Sequence, residues 1–207
     1  MSTIVPAILE KSKDLFDDKV YKLERILGVE KIQIDFCDGQ FVKDTSLVVG
    51  EMDVLNPAFQ WEAHLMVENP QNFIDYKIAG FTTLILHYEA FKNEVDLETA
   101  LENIVSIGMH PALAINPETS VSVLRYFTDT IEHFTLLSVH PGKQGGKFLS
   151  ATLNKVKELR EIAPHAIIEV DGGIKPQQIA SLNEASADLL VVGSGLFETE
   201  NIQETPE

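Results

Sequence analysis

The chain of 207 residues has one cysteine, Cys37, so no disulfide can form within it, and a reducing compartment is expected. It is also short of positive charge: 16 basic residues stand against 32 acidic ones, a formal net charge of −16. A surface of that sign repels phosphate backbones and anionic lipid, so neither nucleic acid nor a membrane is expected as a partner. Residues 1–9 lack a basic segment followed by a long apolar stretch, and no window reaches the length of a membrane span. A cytoplasmic location is the expectation. Any anionic ligand has to be held by local devices such as backbone amides, because the overall field opposes it.

What the chain does have is material for a core. Hydrophobic residues make up 44% and charged ones 23%, which suits one globular domain over residues 1–207. Short apolar runs rich in β-branched residues lie at Thr3–Leu9, Lys31–Phe36, Trp61–Met66, Thr82–His87, Pro111–Ile115, Phe134–His140, Ala166–Val170 and Asp188–Val192. Segments with helical periodicity separate them, most clearly where Leu153, Val156, Leu159 and Ile162 form one apolar stripe. Asn69–Pro70 and Asn116–Pro117 each read as an N-cap before a proline at the first helical position. Strands alternating with helices, eight times and without a linker, predict a (β/α)8 TIM barrel in a single domain. Only 15 residues follow Val192, so the eighth outer helix is expected to be short, beginning near Ser194, or missing. A homo-oligomer covering that flank is expected with it.

In such a barrel, chemistry gathers at the C-terminal ends of the strands. Strand two ends Gln33–Ile34–Asp35–Phe36–Cys37, and alternation turns Gln33, Asp35 and Cys37 inward. Strand three ends with His64 and Met66, and strand seven with Asp171 before Gly172 and Gly173. Singly, Asp35 reads equally well as a turn cap beside Asp38–Gly39, and Asp171 as turn chemistry. His64 alone reads more readily as a hydrogen-bonded core residue than as a ligand. Their convergence on one mouth is what points to a site. Glycine-bearing loops follow strands six (Gly142, Lys143, Gln144, Gly145, Gly146), seven (Gly172, Gly173) and eight (Gly193, Ser194, Gly195). Loops of this kind let backbone amides approach an anion, so a phosphate-binding site is expected there.

Several segments together resemble the ribulose-phosphate 3-epimerases. They are Pro6–Leu9, Ile34–Asp35, Asp38–Val42, His64–Pro70, His87–Ala90, Ala114–Thr119, Val139–Gly142, Glu169–Ile174 and Gly193–Ser194, spread from Val5 to Phe197. The resemblance implies an isomerase of the pentose phosphate pathway that interconverts D-ribulose 5-phosphate and D-xylulose 5-phosphate through an enediolate. It makes Asp35 the base and Asp171 the acid. It also implies a divalent metal ion (zinc, iron, manganese or magnesium) on Asp35, His64 and Asp171, with Gln33 standing where the family has histidine. A small sugar phosphate would then rest on His64, Met66, Gly142, Lys143, Gln144, Gly145, Gly172, Gly173, Gly193 and Ser194.

Further departures from the family pattern are Ala7 for a serine, Cys37 and Leu137 for methionines, and Lys143–Gln144 in the phosphate loop. His140 is given no role. Two other readings stay open: an epimerase of a six-carbon ketose phosphate such as D-allulose 6-phosphate, and a non-catalytic sugar-phosphate-binding barrel. A barrel decarboxylase or aldolase would need a lysine at an inner strand end, and strands two, three and seven end without one.

Overall fold

The structure, a computed structural model, describes residues 1–142 and 145–193. Its strands are β1 (Thr3–Ile8), β2 (Lys31–Cys37), β3 (Gln60–Met66), β4 (Thr83–His87), β5 (His110–Ile115), β6 (His133–Leu137), β7 (Ile167–Asp171) and β8 (Leu189–Val192). All pair in parallel with their sequence neighbours, and β8 returns to β1, closing a TIM barrel. The apolar runs therefore mark the strands almost to the residue. β6 is the exception, ending at Leu137 rather than His140. Beyond it the Ser138 N–H donates to the Asp171 carbonyl at 2.7 Å, and the Ser138 hydroxyl donates to the same oxygen at 3.0 Å. The chain is thus pinned over the end of β7 and leaves the ladder.

The outer layer holds α1 (Lys13–Leu23), α2 (Phe73–Ala79), α3 (Glu94–Ser106), α4 (Thr152–Ile162) and α5 (Pro176–Glu184). The β2–β3 connection carries only a 3-10 turn at Val49–Glu51, and the β5–β6 connection a 3-10 helix at Val121–Phe127. Both proline-marked helix starts are displaced. α2 begins at Phe73, after Asn72, because the Glu68 N–H is held by Asp38 Oδ2 at 2.8 Å and keeps this segment in the loop. The 3-10 helix begins after Ser120. Asn116 is instead tied to the barrel top, its N–H donating to Glu89 Oε1 at 2.8 Å and its carbonyl accepting from Lys155 Nζ at 3.0 Å. The expected helix from Ser194 lies outside the described residues. No described helix is long and apolar enough to cross a membrane.

The principal core lies between the barrel and its helices, where Ile32, Ile34, Phe36, Trp61, Leu65, Leu84, Leu86, Leu159 and Leu190 are buried. Each such side chain contributes about 1.5–3 kcal/mol relative to exposure. The barrel interior is different, because only part of it is apolar. Val5, Ala7 and Val191 form one patch, and Ile85, Ala112, Ala114 and Leu137 another. A third, of Cys37, Val42 and Met66, lies towards the mouth, and much of the remainder is polar: Gln33, Glu62, His64, His87, Thr135, Glu169 and Asp171 are all buried. Buried polar groups are costly unless partnered, so this half of the lumen reflects chemistry rather than packing.

Candidate active site

Strand register sets the site. Asp35 of β2 stands opposite His64 of β3, and Asp171 of β7 opposite Leu137 of β6 and Val191 of β8. Asp171 is the last inward position of β7, and Asp35 and His64 stand one inward position before the ends of β2 and β3, so the side chains meet just inside the barrel mouth. His64 Nδ1 lies 3.3 Å from Asp35 Oδ1 and 3.2 Å from Asp171 Oδ2. The imidazole is 1% exposed, the two carboxylates 15% and 13%. The competing role of turn cap belongs to Asp38, not to Asp35. Asp38 Oδ1 accepts from the N–H groups of Gln40 and Phe41 at 2.8 and 2.9 Å.

Gln33 closes the cluster from below. Its Nε2 donates to Asp35 Oδ1 at 2.8 Å and to Asp171 Oδ2 at 3.1 Å, while its Oε1 is buried without a partner. Electrostatics explains the orientation: an amide turned end for end would point a carbonyl oxygen at two carboxylate oxygens. That arrangement becomes favourable only with a cation between them.

The electrostatics of the cluster follow from the same contacts. Burial works against charge on His64, but hydrogen bonds to Asp171 and Asp35 and their charges outweigh it and lift the pKa to about 10. Asp171 is raised by burial and by the charge on Asp35, against the pull of His64 and Gln33. Behind His64 stands His87 of β4, with Nε2 to Nε2 at 2.8 Å and the rings 18° from coplanar. Burial, reinforced by the charge on His64, drives His87 down to about 4 although Glu89 opposes this. Neutral His87 can then accept from His64 at Nε2 and donate from Nδ1 to Glu89 Oε2, 3.3 Å away. Glu89 Oε1 is held in turn by the Asn116 N–H and the Thr119 hydroxyl. This chain fixes His64 with Nδ1 towards the carboxylates.

His87 and Glu89 received no role from the sequence. Inward parity along β4 through Thr83 and Ile85 would have found His87. Glu89, on a 3-10 turn, carries no such signal.

Above the carboxylates is an open cleft lined by Ala7, Asp35, His64, Met66, Asp171 and the loop glycines among others. Gly142, Gly145, Gly172, Gly173 and Gly193 all line it, as does Gly146. Lys143, Gln144 and Ser194 lie outside the described residues. No lysine is among the described lining residues. His140 points away, its Nδ1 3.1 Å from Glu118 Oε1 on the exposed surface.

The closeness of these loops depends on glycine. At Gly173, φ is +63°, and a Cβ would lie 2.6 Å from the Gly146 carbonyl oxygen and 2.7 Å from the Phe148 nitrogen. Both obstacles are backbone and cannot rotate away. Gly173→Ala is expected to destabilise the protein by about 1–3 kcal/mol, read as a lower urea midpoint. An unchanged midpoint would show that the two loops part freely.

The donor set also fits a divalent metal. One nitrogen and two carboxylate oxygens from His64, Asp35 and Asp171 lie within 4.8 Å of one another, and imidazole with carboxylate suits zinc, iron or manganese.

Comparison with known proteins points the same way. The model of the ribulose-phosphate 3 epimerase family matches residues 3–197. The ribulose-phosphate 3-epimerase of Aquifex aeolicus is 32% identical over 85% of this chain and 81% of its own. That of Bacillus subtilis is 30% identical over 95% of this chain and 93% of its own. Among solved structures, KGPDC from Streptococcus mutans superposes with a TM-score of 0.70 at 14% identity, covering 97% of this chain and 92% of its own. A 3-hexulose-6-phosphate synthase does so with a TM-score of 0.70 at 13% identity, covering 97% and 93%. At that level of identity the superpositions speak to the fold alone.

Proposed function

Since the chain belongs to the ribulose-phosphate 3-epimerase family, whose enzymes are isomerases, we propose that it interconverts D-ribulose 5-phosphate and D-xylulose 5-phosphate. The observation that carries this reading is the pairing of Asp35 and Asp171. They rise from different strands, and an oxygen of each lies within 3.3 Å of one histidine nitrogen, at the base of a glycine-lined cleft.

Inverting the carbon beside a ketone requires a base on one face and an acid on the other. Asp35 takes the proton from C3, leaving an enediolate. Asp171 returns a proton to the opposite face, and the two exchange roles in the reverse direction. The raised pKa of Asp171 suits it to carry that proton. Gln33 Nε2 holds both carboxylates in position, and Met66, Leu137 and Val139 give the cleft apolar walls. The amides of the glycine loops hold the phosphate despite the net charge of −16. A divalent cation held by Asp35, His64 and Asp171 would supply positive charge where the substrate oxygens become negative.

Solvent deuterium incorporation at C3 of ribulose 5-phosphate, with and without chelator, tests the reading. Exchange that a chelator suppresses and added metal restores is the expected result. No exchange with any divalent metal would leave a sugar-phosphate-binding barrel without turnover. Ala7 lines the cleft with a methyl group, leaving room that a six-carbon ketose phosphate could use. The ratio of kcat/KM on ribulose 5-phosphate and allulose 6-phosphate separates the two substrates.

A further inference from the structure

Beneath the cleft, at the floor of the barrel, lies a second cluster that the epimerase chemistry does not use. Glu62 of β3, His133 of β6 and Glu169 of β7 each bring a ligand-type atom within 4.8 Å of the others. All three are buried, and none lines the cleft. Each carboxylate spends one oxygen on the protein: Glu62 Oε1 on Lys31 Nζ at 2.6 Å, Glu169 Oε1 on the Thr135 hydroxyl at 2.9 Å. The remaining atoms, Glu62 Oε2, Glu169 Oε2 and His133 Nε2, have no hydrogen-bond partner. His133 stands between the carboxylates, its Nδ1 3.8 Å from Glu62 Oε1 and its Nε2 3.6 Å from Glu169 Oε2. These gaps are too long for hydrogen bonds. Buried polar atoms left without a hydrogen bond inside a barrel call for a further partner.

We propose that Glu62, His133 and Glu169 form a second divalent-cation site, separate from the one at the barrel mouth. One imidazole nitrogen and two carboxylate oxygens suit zinc, manganese or iron(II), and an ion there supplies the further partner. Charge balance decides how the ion is taken up. Lys31 already neutralises Glu62, so an added dication would leave the floor too positive. The ion therefore enters as the imidazole releases its proton to solvent and the Lys31 ammonium swings out to water. Two positive charges leave as two arrive. The side chains of Lys31 and His133 are 15% and 8% exposed, which places the access route on their side of the cluster. Lys31 is then a competitor for the site.

The test does not depend on the proposed activity, because it reads metal content in protein whose upper site has been disabled. Asp35→Asn/Asp171→Asn protein is dialysed against Mn²⁺ or Zn²⁺ and its metal measured by mass spectrometry, with Mn²⁺ followed by electron spin resonance. It is expected to keep one ion per chain and to lose it when Glu169→Gln is added. Lys31→Met in the same background is expected to tighten binding by about tenfold or more, since a like charge beside the ion is gone. If Glu169→Gln does not fold, His133→Gln takes its place. An upper-site variant that folds but holds no ion would overturn the proposal. So would an ion that survives Glu169→Gln, or a Lys31→Met variant with unchanged affinity.

Discussion

Asp171→Asn is expected to slow epimerisation by about 10²–10⁴-fold, the range contributed by a positioned acid or base, while deuterium exchange at C3 of ribulose 5-phosphate continues. The two readouts part because asparagine cannot deliver a proton to the far face, whereas Asp35 can still remove one and return a solvent-derived one on its own side. Asparagine keeps the shape and the contact with Gln33 Nε2, which now meets an amide instead of Asp171 Oδ2 at 3.1 Å. Asp35→Asn should mirror this result, losing exchange from ribulose 5-phosphate and keeping it from xylulose 5-phosphate. Loss of both exchange reactions in both variants would mean that the carboxylates act only as a structural or metal-binding unit.

The second large effect concerns the affinity of the upper site for metal as pH changes. His64 faces the carboxylates through Nδ1 and carries a proton that they stabilise, with a pKa lifted from 6.5 to about 10. The group is raised, so in the metal-free protein its contribution to stability is complete below pH 6.5 and is lost as pH rises towards 10. A metal ion that takes Nδ1 must expel that proton. Apparent affinity should then climb about tenfold per pH unit across this window, or about a hundredfold between pH 6 and 8. Titration calorimetry in buffers of different ionisation enthalpy should register close to one proton released per ion. A flat profile without proton release would show that His64 is not a ligand. Gln33 adds a separate handle. It offers a neutral oxygen where the family has imidazole, and only after its amide turns, so Gln33→His should bind zinc more tightly at every pH. Equal affinities would remove Gln33 from the ligand set.

Local pattern and tertiary context divide the explanation between them. Strand positions were legible because a buried parallel strand is a short apolar run whatever it packs against, and Lys31–Phe36 and Trp61–Met66 mark β2 and β3 to within one residue. The helix starts were not, since Asn69 and Asn116 have sound capping chemistry, but the N–H of Glu68 just before Asn69 is held by Asp38 and the backbone of Asn116 by Glu89 and Lys155. Asp35 and Asp171 were legible as a pair through parity and position at strand ends. Whether Asp35 capped a turn or served the site was open locally, and the structure gives the capping to Asp38, which directly precedes Gly39.

The amino-acid sequence by itself determined the eight-strand alternation, the acidic surface, and the inward residues Gln33, Asp35, His64 and Asp171. These follow from residue periodicity and charge, which are properties of neighbours along the chain. Only the closed barrel decided that Gln33 clasps two carboxylates, that His87 and Glu89 orient His64, and that Glu62, His133 and Glu169 meet on the floor. Those relations join strands far apart in sequence, and their energies depend on burial and on distances of a few ångströms that no linear spacing encodes.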